Sequence, residues 1–177
     1  GYVVLGIASM TPQGMVGAIF QMFNHGTITA MLFMIVGVIY DRSHTRGLDD
    51  FGGLATKMPV YTGIMMVAFF AALGLPTLSG FVSEVLVFLG TFQTYPVIAM
   101  IAATGIILGA SYMLWALQKV FFGKLPERWQ GPWDPTHKKY KTDDLNFVEI
   151  CSLAPLAAII IFLGLNPNPM INIMSAS

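Results

Sequence analysis

The sequence predicts an all-α integral membrane protein, a bundle of about four full transmembrane helices plus a partial one, with one helix discontinuous. Three observations carry this. The 177 residues are 55% hydrophobic and only 10% charged, against about 25% charged in ordinary soluble domains, and the mean hydropathy is +0.70. Apolar runs of membrane-spanning length alternate with short polar segments. All nine Lys and Arg residues fall at the ends of two of those runs or in the loops that follow them.

The elements follow in order. Residues 1–10 are apolar but too short to span the bilayer, and no basic segment or cleavage pattern marks a signal peptide. They read as the tail of a helix that starts outside this sequence. Thr11-Pro12-Gln13-Gly14 is a turn. Residues 15–40 then form a full span, since about 20 residues cross the hydrocarbon. After the polar loop 41–58, Pro59 opens the next helix, where its missing N–H removes no needed bond. The apolar run 59–92 would reach roughly 50 Å as one helix, well past a ~30 Å core. Gly74-Leu75-Pro76-Thr77-Leu78-Ser79-Gly80 breaks it at 74–80 into two half-helices, with Gly74, Pro76 and Gly80 as the breaking residues. A turn at Gln93–Pro96 leads into a span at 96–122. The longest polar loop follows. Asn146 and Glu149 have capping-box spacing ahead of a last span at 147–165, which carries Pro155 and stops at Asn166-Pro167-Asn168-Pro169.

Orientation follows from charge. Arg42, Arg46 and Lys57 lie in one loop. Lys119, Lys124, Arg128, Lys138, Lys139 and Lys141 lie at the end of the third full span and in the loop after it. Both loops, 41–58 and 119–145, are on the same side, and the positive-inside rule makes that side cytoplasmic or equivalent. Lys119 reads as a snorkelling interfacial residue. Trp129 and Trp133 read as interfacial anchors. Cys151 has no partner for a disulfide and reads as a small apolar residue.

Glu84 is the acid that lies deep inside a membrane-length segment, just after the break. An ionisable group at that depth is a functional-site candidate. A broken helix survives in lipid only where protein or a hydrated cavity covers the freed backbone groups. His25 sits at matched depth on another helix, about ten residues from the same outer side, so each group is roughly 15 Å in. Glu84 and His25 are therefore the candidates for ion or proton translocation. Desolvation and the positive end of the second half-helix act on Glu84 in opposite senses. The plainer readings are a neutral acid that holds the break and an imidazole bonded to Thr29. Gln21, His25 and Thr29 recur every four residues on one helix face, with Asn24 beside them. With Ser83, Thr104 and Ser111 they form a supporting polar path, each equally readable as an interhelical hydrogen-bond former. No phosphate loop, metal-ligand set, haem or iron–sulfur pattern, or nucleophile–base pair is present. Zero net charge gives no case for nucleic acid binding.

Gln21-Met22-Phe23-Asn24-His25-Gly26, Tyr40-Asp41-Arg42-Ser43-His44-Thr45-Arg46 with Phe51-Gly52-Gly53-Leu54, and the break from Gly74 through Glu84 together resemble one family. So do Phe121-Phe122-Gly123-Lys124 and Leu163-Gly164-Leu165-Asn166-Pro167. It is the antiporter-like chain M (chain 4) family of proton-pumping NADH:quinone oxidoreductase, respiratory complex I. The resemblance implies the C-terminal part of a longer subunit with 14 helices in an inverted-repeat fold: the tail of helix 10, then helices 11 to 14. It implies that Glu84 belongs to an outer proton half-channel and His25 to a hydrated central axis. It implies a non-redox translocase subunit in a bacterial inner (plasma) membrane, beside other membrane subunits of complex I. No cofactor is expected in this chain; flavin, iron–sulfur clusters and quinone would sit in partner subunits. The moving ion would be a proton, with sodium as the alternative. The competing readings are a subunit of an Mrp-type sodium/proton antiporter or membrane-bound hydrogenase, and a structural membrane scaffold.

Overall fold

The computed structural model describes residues 1–130, 140–141 and 143–175. It contains seven α-helices among the described residues: α1 (Tyr2–Ala8), α2 (Pro12–Ser43), α3 (Pro59–Ala72), α4 (Ser79–Thr94), α5 (Pro96–Phe121), α6 (Phe147–Leu165) and α7 (Asn168–Ser175). Three of them, α2, α5 and α6, are long and apolar enough to cross a membrane singly. The halves α3 and α4, with 14 and 16 residues, are each shorter than the roughly 20 residues a span needs.

The boundaries have local causes. α2 starts at Pro12, three residues before the apolar run suggests, because Thr11 caps it: the Thr11 hydroxyl accepts from Gly14 N at 3.0 Å. It extends past Tyr40 to Ser43 and stops at His44, which is left-handed at φ 51°. At 32 residues, α2 is about 48 Å long, longer than a ~30 Å core requires, and its last turn carries Arg42. The break between α3 and α4 covers residues 73–78. Gly74 has φ +68° and Thr77 φ +83°, a strained value for a side chain with a branched Cβ. Asn166 and Pro167 end α6, and the chain then turns into α7, a short helix that the proline pattern does not announce.

α2 is the axis of the bundle. It packs against α1, α3, α4, α6 and α7, most extensively against α4. That closest interface is built from small residues. A Cβ on Gly17 of α2 would stand 2.7 Å from the Val87 amide of α4, so the helices approach backbone to backbone, as small residues allow in membranes. Elsewhere α2 buries Met31 and Ile35 against Tyr61 and Ala68 of α3 and Leu153 and Ile160 of α6. The Tyr61 hydroxyl donates to the Ile35 carbonyl at 3.1 Å. α5 is the opposite case: it buries only Ala99, Leu117 and Phe121.

One surface assignment needs correction, and a second gains partners. Trp129 is not an interfacial anchor. It is 0% exposed, packs at an angle against the rings of Phe51 and Tyr140, and its indole N–H donates to the Asp50 carbonyl at 3.0 Å. Folding the loop back on itself buries more of the ring than lipid contact would, and satisfies its one donor. Trp133 lies outside the described residues. Lys119 does not snorkel alone: it pairs with Asp49 at 2.5 Å and lies over the Trp115 ring.

Candidate functional site

The break places Glu84. Gly80 and Glu84 are one turn apart on the face of α4 that meets the C-terminal end of α3. Gly80 lies directly against the Ala71 carbonyl, and the Glu84 carboxylate lies directly against Gly74. Gly74 is required twice over. Its positive φ favours glycine, and a Cβ there would overlap a Glu84 oxygen. Glu84 is 8% exposed yet accepts no hydrogen bond from any described residue. Tyr2 of α1 is within electrostatic reach of Glu84 and packs edge-on against Phe88, one turn further along α4. Nothing in the residue order singles out Tyr2, since α1 is too short to suggest a site.

Polar groups collect on the adjoining face of α4. The Asn24 amide donates to the Ser79 carbonyl at 2.8 Å and to the Ser83 hydroxyl at 2.9 Å. The Ser83 hydroxyl has two acceptors within reach of its one proton, Gln21 Oε1 and the Gly80 carbonyl. Gln21 and Asn24, three residues apart, therefore face α4 together. His25 does not. It is exposed in this chain, and its Nδ1 lies 3.3 Å from the Thr29 hydroxyl on the same helix. The geometry does not bring His25 to Glu84, because one residue along a helix is a rotation of about 100° and Asn24 already occupies the inward position. Thr104 and Ser111 lie on the open face of α5, each hydroxyl bonded to its own helix at Ile101 and Ile107. Neither hydroxyl bonds to the break cluster among the described contacts. Pro76 lies within the break itself.

A second polar cluster lies where the last turn of α2 meets the first turns of α3 and α6. Arg42 forms a fork with Glu149, at 2.9 and 2.8 Å. Its remaining donors reach the carbonyls of Val38, Asp143 and Asp144. Glu149 also accepts from Asn146 N, which with Asn146 Oδ1 closes the capping box. The Asp144 carboxylate caps α3 from a distant part of the chain, accepting from Val60 N at 2.8 Å and Tyr61 N at 2.9 Å. Charge counting marked Arg42 only as a loop cation. Its place in the last turn of α2, four residues after Val38, was the available signal. Among the described residues no group of three or more His, Cys, Asp or Glu could hold a metal ion.

Comparison with known proteins fits this arrangement. Residues 1–109, which include α2, the break and Glu84, match the family described as NADH:quinone oxidoreductase/Mrp antiporter, TM. The chain is 44% identical over all 177 residues to NADH-quinone oxidoreductase subunit M of Rickettsia typhi, and covers 34% of that protein. It is 41% identical over 174 residues to F(420)H(2) dehydrogenase subunit M of Methanosarcina mazei, covering 98% of this chain and 33% of the relative. The chain thus spans about a third of the length of these relatives. It also superimposes on a chain of respiratory complex I from Thermus thermophilus with a TM-score of 0.78 at 28% identity, covering 99% of this chain and 36% of that one. The chain belongs to the transmembrane family of NADH:quinone oxidoreductase and Mrp antiporter subunits.

Proposed function

We propose that this chain is part of the antiporter-like subunit M of NADH:quinone oxidoreductase, that it translocates protons, and that Glu84 is the group that carries them. One observation supports this above the others: an acid buried at the joint of a broken helix, with the joint's glycine against its carboxylate and no described donor holding it. A carboxylate that served only as a structural tie would be expected to carry bonded partners, as Glu149 does. Gln21, Asn24 and Ser83 supply polar surface beside it.

In this reading the chain has no redox centre. The electrons pass through flavin, iron–sulfur clusters and quinone in partner subunits, and this subunit sits among the other membrane subunits of the complex in a bacterial inner membrane. The loops 41–58 and 119–145, which hold the basic residues, face the cytoplasm. Protons are the transported ion. The Methanosarcina relative favours a second reading, in which the same helices serve an enzyme with a different electron donor; copurification with an NADH-oxidising flavin subunit separates the two.

The test is Glu84→Gln in the assembled complex. Glutamine keeps the size and removes the titratable proton. NADH-driven proton uptake into membrane vesicles should collapse while the complex still assembles. Wild-type pumping in that variant would remove Glu84 from the mechanism.

A further inference from the structure

We propose that the N-terminus of α4 binds a single water molecule, held between Asn24 of α2 and Ser79, which completes a polar seam from Gln21 to the broken helix. The inference goes beyond proton translocation and does not depend on it.

Two polar atoms carry it. Asn24 and Ser79 are each 1% exposed, and Asn24 Oδ1 and Ser79 Oγ are buried with no hydrogen-bond partner. Buried polar atoms of this kind are nearly always satisfied, often by ordered water. The orientation of the Asn24 amide is fixed by its neighbours. Its NH2 group donates to the Ser79 carbonyl, which can only accept, and to the Ser83 hydroxyl, whose proton points to Gln21 Oε1 or the Gly80 carbonyl. Swapping oxygen and nitrogen would set the amide oxygen against the Ser79 carbonyl, acceptor against acceptor. Oδ1 is therefore an acceptor in search of a donor. Ser79 Oγ–H is a donor in search of an acceptor, on the residue whose carbonyl the same amide already binds.

The helix end gives the third element. α4 has 16 residues; the Phe81 amide donates to the Leu78 carbonyl at 3.2 Å, while the N-cap Leu78 offers no side-chain acceptor to the amides before Phe81, which a helix N-terminus ordinarily needs. The occupant must donate to Asn24 Oδ1 and accept from Ser79 Oγ–H and the helix end. A cation cannot accept, and the positive end of the helix repels it. An anion cannot donate to Oδ1, and Glu84 lies only five residues beyond Ser79. An uncharged molecule that does both, and is small enough for a dry interface, is water. Held there, it links α2 to the second half-helix at the joint itself.

The experiment is a density map of the assembled wild-type complex at a resolution that shows ordered water, with a second map of Ser79→Ala. The expected result is one isolated peak within hydrogen-bond distance of both Asn24 Oδ1 and Ser79 Oγ, lost in Ser79→Ala while the Asn24 contacts to Ser83 and to the residue-79 carbonyl persist. A wild-type map in which the two atoms bond each other directly, or another side chain fills the position, overturns the proposal. So does a peak that survives Ser79→Ala undiminished. If the variant does not assemble, the wild-type map decides alone. Neither map reads proton pumping, so failure here leaves the proposed role of Glu84 standing.

Discussion

Two carboxylates sit at the two ends of this bundle's polar structure, and they are treated in opposite ways. Glu149 accepts a two-pronged bond from Arg42 and a backbone amide from Asn146. Glu84 is more deeply buried, meets a glycine, and accepts nothing from the described residues. Three helices converge on the first: α2 through Arg42, α6 through Glu149, and α3 through the Asp144 cap. A charge saturated with partners is a clamp, because protonating it would weaken every bond it accepts. A charge without them can change its protonation state without dismantling the fold. The first pattern suits anchorage and the second suits work.

That contrast breaks most sharply if the acids are exchanged for amides. Glu84→Gln should lower proton pumping by about 10²-fold or more, the scale on which removal of an acid–base group acts, with the complex intact. Glu149→Gln should do the reverse. It leaves the guanidinium of Arg42 without its counter-charge, and loss of one partner from a largely buried pair destabilises by about 2–4 kcal/mol. Thermal unfolding in detergent should show that loss, while the pumping stoichiometry of whatever assembles stays at the wild-type value. Loss of pumping without loss of stability in Glu149→Gln would erase the distinction between the two acids.

The joint itself comes next. Gly74→Ala sets a Cβ into the Glu84 carboxylate and forces a left-handed residue to carry a side chain. Backbone strain of that kind costs about 1–3 kcal/mol, and the collision displaces Glu84. Pumping should fall along with stability, unlike either amide exchange. Gly105→Ala is the control: nothing lies within 4 Å of that position in this chain, and alanine is the better helix former. A Gly74→Ala variant as active and as stable as wild type would show that the joint does not position Glu84.

Much of this was legible in the residues, for identifiable reasons. Helix length and the Gly–Pro interruption located the break, because both obey backbone rules that need no tertiary context. Glu84 was visible because a charge in an apolar run is rare. The capping box at Asn146 and Glu149 was readable because it is local. Arg42's reach to Glu149, and Asp144's to α3, were not, since they join residues about a hundred and about eighty positions apart. Trp129 was misplaced for a related cause. An aromatic ring in a polar loop looks the same in sequence whether the loop lies flat on lipid or folds over it.

Of the two readings the sequence leaves for His25, the fold shows the imidazole beside Thr29, and this residue carries the smallest prediction. Periodicity put Gln21, His25 and Thr29 on one stripe, and four-residue spacing drifts about 40° per step, so the stripe is wide. Tertiary packing chose one edge of it. Gln21 and Asn24 turn to α4, while His25 and Thr29 bond each other on the open side. His25→Ala should therefore leave the Asn24–Ser83 contacts and the fold intact. Its effect on pumping should be smaller than that of Glu84→Gln, since water can replace one imidazole in a hydrated path. If His25→Ala abolished pumping as completely as Glu84→Gln while the complex assembled normally, the exposed edge of α2 would hold the obligatory group, and the comparison drawn between the two carboxylates would have to be redrawn around the imidazole.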